Sequence, residues 1–122
     1  MKLTLDANTR VTLIRSYKNG ELRVGEQVFH RSCILTPDAV IPDWRPTKVG
    51  DLLESDLEIL FAQKPEVVLL GTGSRLVFPP VAIRGAFAKA RVALETMDMG
   101  AACRTFNVLV QEERKVCAAL LF

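Results

Sequence analysis

Val67-Val68-Leu69-Leu70 is apolar at every position and runs directly into Gly71-Thr72-Gly73. A strand with one wet face alternates polar and apolar residues, so an unbroken apolar run fits a strand covered on both faces. Such a strand needs a layer above it and a layer below it, which points to a layered α/β architecture. The neighbouring segments can supply those layers. Leu53, Leu57, Leu60 and Phe61 recur at helical spacing, with Ser55 as the expected N-cap and Lys64-Pro65 as the stop. Pro79-Pro80 suits a helix start, because the first turn needs no proline N–H. Val81 to Ala93 then reads as an amphipathic helix and Leu94 to Met97 as a short strand. Ala101 to Glu113 reads as a further helix with Ala102, Phe106, Leu109 and Val110 on its core stripe, and Val116 to Leu121 as a final strand.

The first third reads as β. Val11 to Tyr17 is rich in β-branched and aromatic residues, and Asn19-Gly20 is a tight-turn signal. Glu21 to Val24 and Gln27 to Leu35 continue as strands interrupted at Gly25, which predicts a hairpin or meander. Ile41-Pro42-Asp43-Trp44-Arg45-Pro46 reads as an irregular crossover, since proline supplies no ladder donor. With no internal repeat and no linker, the 122 residues are expected to form a single domain: a three-layer α/β fold with a mixed central sheet, flanking helices and an N-terminal β-hairpin or meander.

Composition narrows the function. A net charge of +2, with basic residues interleaved among acidic ones as in Glu112-Glu113-Arg114-Lys115, argues against a nucleic-acid footprint. Three separated cysteines and a single histidine, His30, offer neither a disulfide framework nor metal-ligand spacing, so no metal and no cofactor are expected. Cys103 has no second histidine to act as its base and reads as an inert buried thiol. No apolar run reaches the ~20 residues needed to span a bilayer, and the first residues carry no targeting pattern, so a cytoplasmic location is expected.

Two segments carry the candidate site. Gly71-Thr72-Gly73 with Arg75 lies where ligands collect in α/β folds, at the carboxyl end of a strand. A phosphate loop would need a third glycine where Leu76 stands, or a Gly-Lys-Ser/Thr run, and has neither. The preferred reading is a tight strand exit in which the glycines supply positive φ. The second segment is Ala102-Cys103-Arg104-Thr105-Phe106-Asn107, where Thr105 and Asn107 are polar residues in an apolar helix. They are expected to pin that helix to the Gly71-Thr72-Gly73 turn, because exposed backbone groups of a turn need partners. The alternative is a ligand cleft formed by the same two segments.

These segments, read together as "ETMDMGAACRTFNVLVQEERKVCAALL" after the Gly-Thr-Gly turn and "YKNGELRVGEQVFHRSCILTPDAVIPDW" upstream of it, resemble the Mth938-like domain family. That family includes bacterial proteins and a mitochondrial assembly factor of respiratory complex I. The resemblance implies a three-layer α/β fold, no established enzymatic activity, and a signature that falls here on Gly71, Thr72, Gly73, Ala102, Thr105 and Asn107. It also implies, by analogy, a protein partner such as a membrane-complex assembly intermediate. This chain departs from the pattern at Glu113 and Ala93, where glycine is usual or common, and at Met99, where threonine is common. Two function classes follow: a non-catalytic interaction or assembly protein, acting through the rim near Gly71 and Asn107 or through the Trp44 crossover, and a small-molecule (anion) binder or enzyme using the cleft.

Overall fold

A computed structural model describes residues 12–122. Its first sheet is an antiparallel meander of β1 (Ile14–Lys18), β2 (Glu21–Val24) and β3 (Gln27–Phe29), turned at Asn19-Gly20 as expected. Val11, read as part of the first strand, lies outside the described residues. The expected strand from Gln27 to Leu35 is two strands in two sheets. After β3 the chain leaves the meander and joins a five-stranded sheet as β4 (Cys33–Leu35). The transfer is anchored at Ser32, which is fully buried: Phe122 N–H donates to its hydroxyl at 3.0 Å, and the hydroxyl lies 3.2 Å from the Phe122 carbonyl oxygen. Val40 and Ile41 form a short β5, so only the remainder of the predicted crossover is irregular.

Two 3-10 turns, Val49–Asp51 and Glu54–Leu57, lead into α1 (Glu58–Ala62). Ser55 is therefore inside a turn and caps nothing. The capping contact comes from Asp56, whose Oδ2 accepts the Leu53 N–H at 2.8 Å. The same carboxylate takes two hydrogen bonds from Arg45, at 2.9 and 2.6 Å, and Trp44 Nε1 donates to the Asp56 carbonyl at 3.1 Å. Trp44 is only 8% exposed, so its ring belongs to the core, whereas Pro42, Asp43 and Arg45 of the crossover are exposed.

The expected central strand is β6 (Val67–Gly71), buried throughout. It hydrogen-bonds in parallel to β7 (Ala93–Met97) on one side and to β8 (Val116–Leu120) on the other. Antiparallel β4 and β5 complete the order β5-β4-β8-β6-β7, a mixed sheet. Between β6 and β7 lies α2 (Val81–Ala90), and between β7 and β8 lies α3 (Met99–Gln111).

The two helices cover opposite faces of the sheet. One face packs Ile34, Val68, Leu70 and Ala119 against Trp44, Leu57, Leu60 and the α2 residues Ile83 and Phe87. The other packs Leu35, Val67, Leu69 and Leu120 against Met99, Ala102, Cys103, Phe106 and Val110 of α3. Ile14, Leu22 and Val24 of the meander close over this second core. The alternation along β6 thus feeds two separate apolar cores, which is why its sequence has no polar position. Leu109, assigned to the α3 core stripe, is only partly buried, whereas Met99 and Cys103 lie inside.

Helix boundaries moved for identifiable reasons. α3 starts at Met99 because Asp98 caps it, its Oδ1 accepting the Ala101 N–H at 2.9 Å. α2 stops three residues short of Ala93 because Arg91 turns left-handed, φ 61°. The exit of α3 repeats the device: Glu113 sits at φ 62°, its N–H donates to the Val110 carbonyl at 2.9 Å, and Arg114 N–H reaches the Leu109 carbonyl at 3.0 Å. That is the Schellman arrangement, whose left-handed position glycine fits best. Glu113→Gly is therefore expected to stabilise the fold by about 0.5–1 kcal/mol, the gain in φ freedom outweighing the looser unfolded chain. Urea denaturation of that variant checks it, and a lower midpoint would contradict it.

Candidate functional site

The two glycines of Gly71-Thr72-Gly73 serve different purposes. Gly71 is the last residue of β6 and has no positive φ, contrary to the expectation for it. A β-carbon there would lie 2.9 Å from Leu120 Cδ2, 3.0 Å from Met99 Sδ and 3.2 Å from Ala102 Cβ. The residue is small because α3 and β8 converge on it. Gly73 meets the expectation: φ is +93°, with open space where a side chain would go.

The turn uses most of its polar groups internally. Leu121 N–H donates to the Gly71 carbonyl at 2.9 Å, Thr72 N–H to Met97 at 2.9 Å, and Met99 N–H to Gly73 at 2.8 Å. The Thr72 hydroxyl lies 2.5 Å from the Arg75 carbonyl oxygen and 3.2 Å from that of Met97, and it accepts the Val77 N–H at 3.0 Å. Thr72 thus folds the following loop back upon the turn. Beside Gly73 stands the N-terminus of α3, the natural place for an anion. The Asp98 carboxylate occupies it.

Asn107 does not reach the turn. Its Oδ1 accepts the Ile14 N–H at 2.8 Å and its Nδ2 donates to the Ile14 carbonyl at 2.7 Å. Ile14 pairs with Val24 of β2 along one edge, so the Asn107 carboxamide stands in for a neighbouring strand along the other. The expected pin to the turn is not made; Asn107 joins α3 to the meander instead. The reason is direction: Asn107 lies two turns from the end of α3 that meets Gly73, on the stretch that β1 crosses. Contact between turn and helix is made by Met99 and Ala102 instead. Thr105 is half-buried, while Arg75 and Arg104 are exposed. The predicted residues therefore fall into two groups. Gly71, Thr72, Gly73 and Ala102 share one junction, and Asn107 makes a separate one. Asp98 and Ser32 were missed. Asp98 was legible as an N-cap three residues before Ala101, whereas no local pattern marks Ser32, whose partner Phe122 is remote in sequence.

A sequence profile described as a protein of unknown function (DUF498/DUF598) matches residues 14–121. The chain belongs to that family. The DUF498 chain is 34% identical over 73 residues to a "13 kDa major membrane protein" of Francisella tularensis, covering 60% of this chain and 59% of the relative. It is 30% identical over 112 residues to NADH dehydrogenase (ubiquinone) 1 alpha subcomplex assembly factor 3 of Danio rerio, covering 90% of this chain and 64% of the relative. It spans about three fifths of the length of these curated relatives. The solution structure of a Bordetella pertussis Mth938-like domain superposes with a TM-score of 0.78 at 26% identity, over 93% of this chain and 87% of that one. The Mth938-like resemblance and its three-layer fold are thereby confirmed.

In this DUF498 chain Cys33, Cys103 and Cys117 are all buried and free. Burial pushes the Cys33 thiol up to about 12, with a further push from Cys103, and pushes Cys103 and Cys117 up to about 11. A thiol held this high is no nucleophile at neutral pH. Because the folded values lie above the ordinary 9.0, the unfolded chain loses its thiol protons first, and stability falls as pH rises from about 9 toward 11–12. Below pH 9 the thiols are protonated in both states and exert no such drag. The native chain is expected to resist alkylation at pH 8 and to take up three labels once unfolded, as read by intact mass. Rapid labelling of the native chain would contradict this.

Among the described residues no group of three or more His, Cys, Asp or Glu side chains could hold a metal ion, and no helix is long and apolar enough to cross a membrane. A groove between α1 and α2, lined by Glu54, Glu58, Phe61, Gly85 and Lys89, lies on the α2 side of the sheet, away from the α3 junctions with Gly71 and Asn107. An apolar surface next to the Gly71-Thr72-Gly73 turn is the loop that Thr72 folds back. Leu76, Val77 and Phe78 are 48%, 41% and 70% exposed, and Val81 at the start of α2 is 73% exposed.

Proposed function

We propose that this chain is a non-catalytic interaction protein that assists the assembly of a membrane-bound respiratory complex, with the loop Leu76–Phe78 and Val81 as its contact surface. The observation that carries this reading is the exposure of four large apolar side chains on one loop and the helix start it feeds. Burying such residues is favourable wherever a partner can cover them, and contiguous exposed apolar patches mark contact sites. The likeness to an assembly factor of NADH dehydrogenase supports the same role, and the name of the Francisella relative supports work at a membrane. Against an anion cleft or an enzyme stand the raised thiols, the internally bonded Gly-Thr-Gly turn and the Asp98 carboxylate at the α3 N-terminus.

The test is genetic and biochemical. Membranes from cells lacking the chain are compared on native gels with those of the parent. The expected outcome is loss of a respiratory complex, or accumulation of its subcomplexes. Intact complexes together with loss of a metabolite conversion would overturn the reading in favour of an enzyme.

A further inference from the structure

The loop after Gly73 is apolar at its tip and cationic at its base. Phe78, the most exposed of its large side chains, is followed by Pro79-Pro80, which restrict the backbone and hold the tip in place. Arg75 belongs to the loop itself. Arg84 projects from the first turn of α2, its Nε donating to the Pro79 carbonyl at 3.1 Å. Arg104 reaches back along α3, placing a guanidinium nitrogen 3.2 Å from where a β-carbon on Gly100 would stand, at the helix end that meets Gly73.

None of these three arginines forms an ion pair among the described residues, which pair Arg15, Arg31, Arg45 and Arg114. Asp98, whose Oδ1 accepts the Ala101 N–H, lies on the same side of Gly100 as the Arg104 guanidinium, 3.5 Å from that β-carbon position, and is the carboxylate beside that cation, though not within ion-pair distance of it. Glu95, at the middle of β7, lines the same groove as Phe78 and Arg84 without forming an ion pair with Arg84. The rim at this end of the sheet is therefore an apolar tip with three arginines behind it, none in an ion pair among the described residues, and two carboxylates, Asp98 and Glu95, set further from the tip.

We propose that this rim docks on an anionic lipid bilayer, with Leu76, Val77, Phe78 and Val81 entering the acyl boundary and Arg75, Arg84 and Arg104 meeting headgroup phosphates. The inference names the partner of the contact surface above and rests on that reading. Charge complementarity selects the occupant. An anionic leaflet attracts unpaired cations placed within a few ångströms of it, and guanidinium groups match phosphate oxygens. A protruding tip with cations set back from it also suits a soft, layered target whose apolar interior lies beneath its charges.

Sedimentation of the whole chain with vesicles tests this. Phosphatidylcholine vesicles are compared with vesicles that also contain phosphatidylglycerol, at low and high salt. The chain is expected to pellet with the anionic vesicles only and to be partly released by salt. Phe78→Asp is expected to weaken partitioning by at least about tenfold, and Arg75→Glu by a smaller factor. Both side chains are exposed, so both variants should keep the parent's thermal midpoint. Equal pelleting with neutral vesicles, no pelleting with either, or pelleting unchanged by Phe78→Asp would each overturn the proposal. Pelleting only with vesicles that carry extracted membrane proteins would overturn it too, assigning the loop to a protein partner. The assembly reading fails separately, on the native gels, so the two failures are distinguishable.

Discussion

Gly71→Ala is expected to lower stability by about 1–3 kcal/mol, and Gly71→Val by more. The added β-carbon meets three neighbours at 3.2 Å or less. Leu120 and Met99 have side chains that rotate in open space, but here they are 0% and 1% exposed and enclosed by the core. Ala102 offers no rotation at all, because its β-carbon is fixed to the α3 backbone. Relief requires moving α3 away from the sheet, which disturbs a core that also contains Phe106 and Val110. Gly73→Ala should also destabilise, by a different route. Space is free there, and the cost comes from holding a side chain at φ +93°. Urea denaturation of both variants, with structures of the folded forms, separates the two mechanisms. A Gly71→Ala protein with an unchanged midpoint would mean that α3 does not sit as close to β6 as described.

Asn107→Ala is expected to cost about 1–3 kcal/mol, because it strands the N–H and the carbonyl of Ile14 together. The loss should be local in character. Hydrogen exchange is expected to rise in β1 and along its contact with α3, while β6 and β8 stay protected. Asn107→Asp is a sharper probe. It can still accept the Ile14 N–H, but it faces the Ile14 carbonyl with an oxygen in place of a donor. Its deficit should shrink on acidification, as the carboxyl protonates and regains a donor. Stability of Asn107→Ala equal to that of the parent would contradict the pin.

The layered core was legible because it is written locally. Val67 to Leu70 announces a strand covered twice, and the helices on either side follow from spacing and from proline. What was not legible depends on contacts between segments far apart in sequence. Gln27 to Leu35 looks like one strand, yet Ser32 and the end of β8 draw its second half into another sheet. Asn107 is visibly odd in an apolar helix, but its partner, Ile14, is 93 residues away. Glycine propensity suggested turns at both positions of Gly-Thr-Gly. Only packing geometry distinguishes the close approach at Gly71 from the left-handed backbone at Gly73. Glu113 is the converse case, a left-handed position that carries no glycine to advertise it.

The central claim is that the Gly71 and Asn107 region joins layers of the fold and leaves binding to the loop beyond it. The most direct measurement is a ¹⁵N-edited NMR titration of the whole chain with inorganic phosphate and with a nucleoside monophosphate. It follows the backbone amides of Gly71, Thr72 and Gly73 and the side-chain amide of Asn107. The account predicts that these resonances stay in place, apart from the small linear drift that ionic strength produces. Saturable shifts converging on Gly73 and the α3 N-terminus would contradict it, and would establish an anion site where the structure places the Asp98 carboxylate.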